Sequence, residues 1–253
     1  MINIKRLVKK LFRRFGLKII KTETKNYSDQ NPFLTQYNLL ENPEEEVMIF
    51  DVGAYVGEVT GFYRSLFPNA MIHSFEPFKE SFDQLKVNTT GDAKISLVNK
   101  ALSNNSDKVL FNSNSFAQTN SLLDSDPNAK KTWSEGLFDT REKVSIETIT
   151  LDDYVEANTI KTLDILKMDV QGGEFKVFQG ASKTLSQKRI KMIYTEISIM
   201  PSYQDQPQFD EILSLLRSYG FQLYNLYGNS TTEKGQLRQV DALFILKDLI
   251  EEK

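Results

Sequence analysis

Five polar residues of the 253-residue chain each sit in or just after a short apolar run: Asp51, Glu76, Lys167, Asp169 and Glu196. Such runs read as buried parallel strands, and in open α/β sheets ligands bind beyond the strand C-termini. Carboxylates at those positions can accept hydrogen bonds from sugar hydroxyls, meet a cation, or take a proton. Around the first of them the chain reads Asp51-Val52-Gly53-Ala54-Tyr55-Val56-Gly57-Glu58. Glycine allows a sharp turn and close approach to a ligand, and a following helix offers free backbone N–H groups. The dinucleotide fingerprint is G-x-G-x-x-G, and here its first position is an acid. Asp51 is expected to meet a positive ammonium, as on methionine, and to repel a pyrophosphate. The spacing therefore favours S-adenosyl-L-methionine over a nicotinamide dinucleotide.

Glu76, in Phe75-Glu76-Pro77, follows Asp51 by 25 residues. In doubly wound folds an acid roughly twenty residues on binds ribose hydroxyls. Asn99-Lys100-Ala101-Leu102 follows the third strand and is expected to wall the adenine. The candidate cofactor-binding residues are thus Asp51, Gly53, Tyr55, Gly57, Glu76, Pro77 and Ala101. Tyr55 either stacks near the methionine moiety or packs.

The segment Ile165-Leu166-Lys167-Met168-Asp169-Val170-Gln171-Gly172-Gly173-Glu174 places Lys167 and Asp169 on one face at a strand end. Tyr194-Thr195-Glu196 repeats the arrangement on the next strand. A hydroxyl is a weak nucleophile for methyl transfer, so a positioned base helps. Asp169 and Glu196 are the candidate bases, with Lys167 holding Asp169 or keeping it ionised. A Lys167–Asp169 pair that is only a buried ion pair is the structural alternative. Nothing in the spacing demands a metal. The single histidine, His73, falls inside the second strand and reads as a satisfied core residue, which leaves no Ser-His-Asp or zinc-histidine site.

The elements that must position these residues follow from periodicity. Strands are expected at Val47–Val52, Ala70–Phe75, Ile95–Asn99, Leu163–Asp169 and Lys191–Ile197, and helices over 57–67, 79–89, 174–184 and 208–219. Phe221–Leu226 and Val240–Leu246 are joined by too few residues for a helical crossover, so they should form an antiparallel hairpin. The fold class is α/β: a doubly wound, mostly parallel, seven-stranded sheet closed by that hairpin, Rossmann-like in the manner of class I methyltransferases. Residues 103–148 are rich in Ser and Asn, break the alternation, and read as an insertion beside the site with strand pieces at 108–111 and 143–148. Residues 47–253 form the catalytic domain.

Residues 1–46 precede it as a helix and linker. Residues 1–25 carry nine Lys/Arg and one acid, leaving 22 basic and 33 acidic residues for the rest. An acidic body is a poor partner for nucleic acid. Ile4, Leu7, Val8, Leu11, Phe12 and Phe15 share one face of a helix expected over 2–20. That stripe suits either an anionic membrane surface or a protein surface. No run reaches the about 20 apolar residues that span a bilayer, and no secretory signal is present. With no cysteine, the chain fits the cytoplasm, peripheral contact at the inner membrane face being one reading. Oligomeric state is left open.

Taken in order, these blocks resemble the FkbM family of methyltransferases from about Val47 to Leu246. Thr150-Leu-Asp152-Asp-Tyr154, Gly180-Ala181 and Asp241-Ala-Leu-Phe244 complete the series. The resemblance implies O-methylation of a hydroxyl, often on a sugar of a surface glycan or on a macrolide. It also implies cofactor binding by Asp51, Gly53, Gly57 and Glu76. Tyr55 stands where Asn is frequent and Gln171 where Glu is frequent, so no base role passes to Gln171. The acceptor is expected to be a carbohydrate or another hydroxyl-bearing molecule, with 103–148 and the Met200–Gln208 loop shaping its pocket. Tyr203, Trp133 and Phe138 would either stack on a sugar or pack locally. The rival readings are a nicotinamide oxidoreductase and a non-catalytic scaffold subunit.

Overall fold

The computed structural model describes residues 31–129, 132–134, 136–247 and 249. The basic segment expected to be helical over 2–20 lies outside the described residues. In chain order the elements are α1 (Pro32–Leu39), β1 (Met48–Val52), α2 (Glu58–Leu66), β2 (Met71–Phe75), α3 (Lys79–Asn88), β3 (Ile95–Val98) and β4 (Ala101–Leu102). Next come β5 (Lys108–Asn114), a 3₁₀ turn (Ala117–Thr119), β6 (Thr140–Ile149), α4 (Leu151–Ala157) and β7 (Leu163–Met168). The chain ends with α5 (Glu174–Gln179), α6 (Ser182–Ser186), β8 (Ile190–Ser198), α7 (Phe209–Ser218), β9 (Phe221–Thr231) and β10 (Leu237–Leu246).

Seven strands make the main sheet in the order β3-β2-β1-β7-β8-β10-β9. The first five pair in parallel, and β10 runs antiparallel to both β8 and β9. Side chains alternate between the two faces of a strand, and the central strands are apolar on both. Phe50, Leu166, Ile193 and Phe244 enter one core; their neighbours Ile49, Ile165, Met192 and Leu243 enter the other. Covered on both sides, the sheet leaves its parallel strand ends as the open edge. Asp51, Glu76, Asp169 and Glu196 gather there.

The region expected as an insertion forms, with the two residues before it, a small sheet of its own, β4-β6-β5. β5 and β6 pair antiparallel, while β4 runs parallel to β6.

The helices differ from expectation in three places. The helix expected over 174–184 is two short ones, because Gly180 packs on the chain after β4. A Cβ on Gly180 would lie 2.0 Å from the Ser103 carbonyl oxygen. Helices α1 and α4 were not expected, although each has a start signal. Asn31 accepts from the Phe33 and Leu34 amides at 3.0 and 3.1 Å, with Pro32 opening the helix. Thr150 accepts from the Asp153 amide at 3.0 Å.

Candidate active site

A cavity of about 240 Å³ opens at the strand ends between β1, β2 and β7. Of the expected cofactor residues, Gly53, Tyr55, Glu76, Pro77 and Ala101 line it. Asp51 and Gly57 do not. Asp51 is fully buried. Its Oδ2 accepts from the Thr60 hydroxyl at 2.7 Å, and its Oδ1 lies 3.0 Å from Lys167 Nζ. Instead of lining the cavity where an ammonium was expected to meet it, Asp51 pairs with Lys167, its cross-strand neighbour in register. The expected Lys167–Asp169 pairing is corrected with it. Lys167 also donates to the Gly53 carbonyl at 3.2 Å, so it braces the turn itself. Burial works against its charge, but Asp51, Asp169 and Glu196 outweigh burial and hold its pKa above the ordinary value.

Gly57 opens α2 at φ 91°, and a Cβ there would press to 2.6 Å on Leu85. Its place is in packing α2 against α3. Gly53 has φ 73°, and a Cβ on it would fall 1.9 Å from the Asp169 carbonyl oxygen. Gly53→Ala should destabilise the fold by about 2–3 kcal/mol, because both the left-handed backbone and the backbone contact oppose it. Chemical unfolding checks this; an unchanged midpoint would show that the turn relaxes freely.

Glu76 holds the turn from the other side. Its Oε2 accepts from the Tyr55 amide and its Oε1 from the Phe78 amide, each at 2.9 Å. Tyr55 sits at φ 52°, a left-handed conformation that Asn takes more readily. Burial pushes the Glu76 carboxyl up to about 7, against the pull of those two amides. Glu174 is likewise raised to about 7 by burial, with the Val170 amide donating to it at 3.1 Å. Both groups hold more protons in the folded chain than in the unfolded one. Their stabilising protonation is full below the ordinary carboxylate range and is lost as pH rises through 7. The cofactor-free chain should therefore be less stable at pH 8 than at pH 5, by about 2–4 kcal/mol. Denaturant midpoints at the two pH values test this; an equal or higher midpoint at pH 8 would refute it.

Does the cavity suit S-adenosylmethionine? Its polar wall carries Glu58, Glu76 and Asp169, matched to a diol and to positive charge. Phe75, Pro77, Ala101 and Leu102 give an apolar wall for a flat base. The Gly53 and Ala54 amides, which a pyrophosphate would need, both donate to the Phe75 carbonyl at 3.0 and 2.9 Å. The residues fit the sulfonium cofactor and disfavour a dinucleotide.

A second cavity adjoins the first. Gln118 and Gln171 line both. Asp169 and Lys167 line only the first, and Glu196 only the second. Gln171, at φ 54°, bridges the two acids: its amide nitrogen donates to Asp169 Oδ1 at 2.6 Å and reaches Glu196 Oε1 at 3.4 Å. Its own oxygen accepts from the Tyr203 hydroxyl at 3.0 Å. Gln239 donates to the other Glu196 oxygen. Burial, then Asp169, Glu174 and Asp241, push the Glu196 carboxyl well above its usual range.

Trp133 and Phe138 line this second cavity, and a solvent-exposed Phe116 stands at it. Tyr203 also lines it but is largely buried, its hydroxyl donating to the Thr119 carbonyl at 2.8 Å. The Arg238 guanidinium lies 4.2 Å from the centre of the Trp133 ring. Sequence reasoning missed Phe116, Gln118 and Gln239, which come from a turn and a hairpin strand without a motif. His73 is buried against the Tyr154 hydroxyl at 2.7 Å, far from any acid–base task, and burial lowers its pKa. Among the described residues no cluster of His, Cys, Asp or Glu could hold a metal ion, and no helix is long and apolar enough to cross a membrane.

Comparison with known proteins gives the family. The model of the methyltransferase FkbM domain matches residues 51–223. The chain is 30% identical over 186 residues to the 2-O-methyltransferase NoeI of Sinorhizobium fredii, covering 72% of this chain and 75% of that one. It is 24% identical over 164 residues to the hexuronic acid methyltransferase AglP of Haloferax volcanii, covering 64% and 62%. It is 25% identical over 193 residues to the 31-O-demethyl-FK506 methyltransferase FkbM of Streptomyces tacrolimicus, covering 69% and 72%. A carboxylate-walled cavity beside a second, acid-bearing one is thus found on a chain that belongs to the FkbM methyltransferase family, and the protein is an S-adenosylmethionine-dependent methyltransferase.

Proposed function

We propose that this enzyme methylates a hydroxyl of a sugar in a glycan or glycoconjugate, with Glu196 as general base. The observation that carries the reading is the division of the two candidate acids between adjoining cavities. Asp169 faces the donor side and Glu196 the acceptor side. When bound, S-adenosylmethionine supplies an electrophilic methyl group on a sulfonium. Of the residues lining the first cavity, Glu76 would hold the ribose hydroxyls, Ala101 and Pro77 the adenine, and Asp169 the positive end of the cofactor. Lys167 acts at one remove, by fixing Asp51 and the Gly53 carbonyl. Glu196 takes the proton of the acceptor hydroxyl, held in place by Gln239 and Gln171. Its raised pKa makes it a stronger base than an exposed glutamate. Phe116, Trp133 and Phe138 offer ring surfaces of the kind that pack on sugars.

Two relatives add support, one named as a 2-O-methyltransferase and one as a hexuronic acid methyltransferase. The test is incorporation of a labelled methyl group from S-adenosylmethionine into fractionated glycans and glycolipids, with linkage analysis of the product. Label in a sugar ether is the expected result. Label only in a non-carbohydrate fraction would overturn the acceptor class. Tight cofactor binding with no transfer to any cell fraction would favour a scaffold role.

A further inference from the structure

At the opposite end of the sheet from the active site lies a groove of about 320 Å³. Its floor is apolar, built from Leu39 and Leu40 at the end of α1, Val47 before β1, Leu246 at the end of β10, and Leu249. Its rim is acidic. Glu41, Glu45 and Glu46 line it and are exposed. Asp164 lines it too, but Lys191 lies 2.7 Å from that carboxylate and the Met48 amide donates to it at 2.8 Å. The three glutamates therefore set the sign of the rim.

We propose that this groove is the docking site of the chain's own N-terminal segment, residues 2–20. The segment has the complementary character on both counts. Its stripe of Leu7, Val8, Leu11, Phe12 and Phe15 is apolar, and residues 1–25 carry nine basic side chains against one acid. Reach is ample. Sixteen residues separate Phe15 from Pro32, and an extended chain of that length spans up to about 50 Å. The eight-residue α1 that leads to the groove is only about 12 Å long. The acids on the rim draw the basic face by short-range attraction, which salt screens. The leucines of the floor receive the apolar stripe. Docked there, the segment withholds from lipid the face it would otherwise offer to a membrane, and leaves the active-site edge open.

Hydrogen–deuterium exchange of the full-length chain tests this, at low and high salt. In the wild type, amides of residues 4–15 should exchange at least about tenfold more slowly than in Glu41→Lys/Glu45→Lys/Glu46→Lys. A second variant, Leu7→Asp/Leu11→Asp, alters only the segment and should lose the same protection. Unchanged exchange in the β-sheet and unchanged S-adenosylmethionine binding show that both variants are folded. Protection indifferent to the rim charges would overturn the proposal. So would amides that stay unprotected until vesicles of phosphatidylcholine and phosphatidylserine are added, which would assign the stripe to a membrane. Protection that rises with protein concentration, alongside a dimer in sedimentation, would overturn it in favour of a second copy.

Discussion

Glu196→Gln should lower turnover by about 10²–10⁴-fold, the range that loss of a positioned base produces, while S-adenosylmethionine affinity stays near wild type. The substitution keeps the side-chain shape between Gln171 and Gln239 but removes the group that can accept the hydroxyl proton. Glu196 lines only the acceptor cavity, so the donor cavity is left intact. The pH profile gives an independent reading. Burial and three neighbouring carboxylates raise the Glu196 pKa well above the usual range. Wild-type turnover should therefore fall on acidification earlier than an exposed glutamate would dictate, and this limb should vanish from the residual activity of the variant. Glu196→Asp should recover part of the rate. Steady-state kinetics with the acceptor found by methyl labelling measures all of this; a variant as fast as wild type would remove Glu196 from the chemistry.

Glu76→Ala should weaken S-adenosylmethionine binding by about 10²–10³-fold, or roughly 3–4 kcal/mol. Two losses combine in that figure. The ribose hydroxyls lose a charged acceptor, and the Tyr55 and Phe78 amides lose the carboxylate that orders the turn. Glu76→Gln keeps an acceptor oxygen and should fall between the two. Because burial raises the carboxyl to about 7, wild-type affinity should drop as pH falls below 7. This direction is opposite to the pH dependence expected for the stability of the cofactor-free chain. Calorimetric titration of the folded proteins decides: equal affinity in Glu76→Ala would mean that the ribose is held elsewhere.

How much of this was legible in the sequence depended on the range of the interaction. Strand ends were, because Asp51, Glu76, Asp169 and Glu196 each sit in or just after a local apolar run. Partnership across strands was not. Lys167 lies two residues from Asp169 in sequence, and that proximity suggested the wrong pair. Its actual partner, Asp51, is 116 residues away and becomes visible only once β1 and β7 are known to pair in register. The break at Gly180 escaped for the same reason: the periodicity of 174–184 is helical, and the close packing of Gly180 on the Ser103 carbonyl is a contact between distant parts of the chain. The starts of α1 and α4 were a different failure. Asn31-Pro32 and Thr150-x-x-Asp153 carry local capping signals, but the segments are short and their apolar stripes weak. The acceptor cavity was the least legible feature. Gln118 and Gln239 reach the cavity that Glu196 lines through the fold of a 3₁₀ turn and a hairpin strand, and neither position belongs to a spaced motif.

The turn Ala117–Thr119 borders both cavities at once, with Ala117 and Gln118 on the donor side and Gln118 and Thr119 on the acceptor side. In evolutionary terms this is a pleiotropic position. A lineage that altered Gln118 to accept a new sugar would expose its cofactor affinity to the same mutation. Trp133 and Phe138 line the proposed acceptor cavity and not the cofactor cavity. On the proposed reading, a change of acceptor could run through those two rings without altering the cofactor cavity, whereas a change in the turn beside them would alter both.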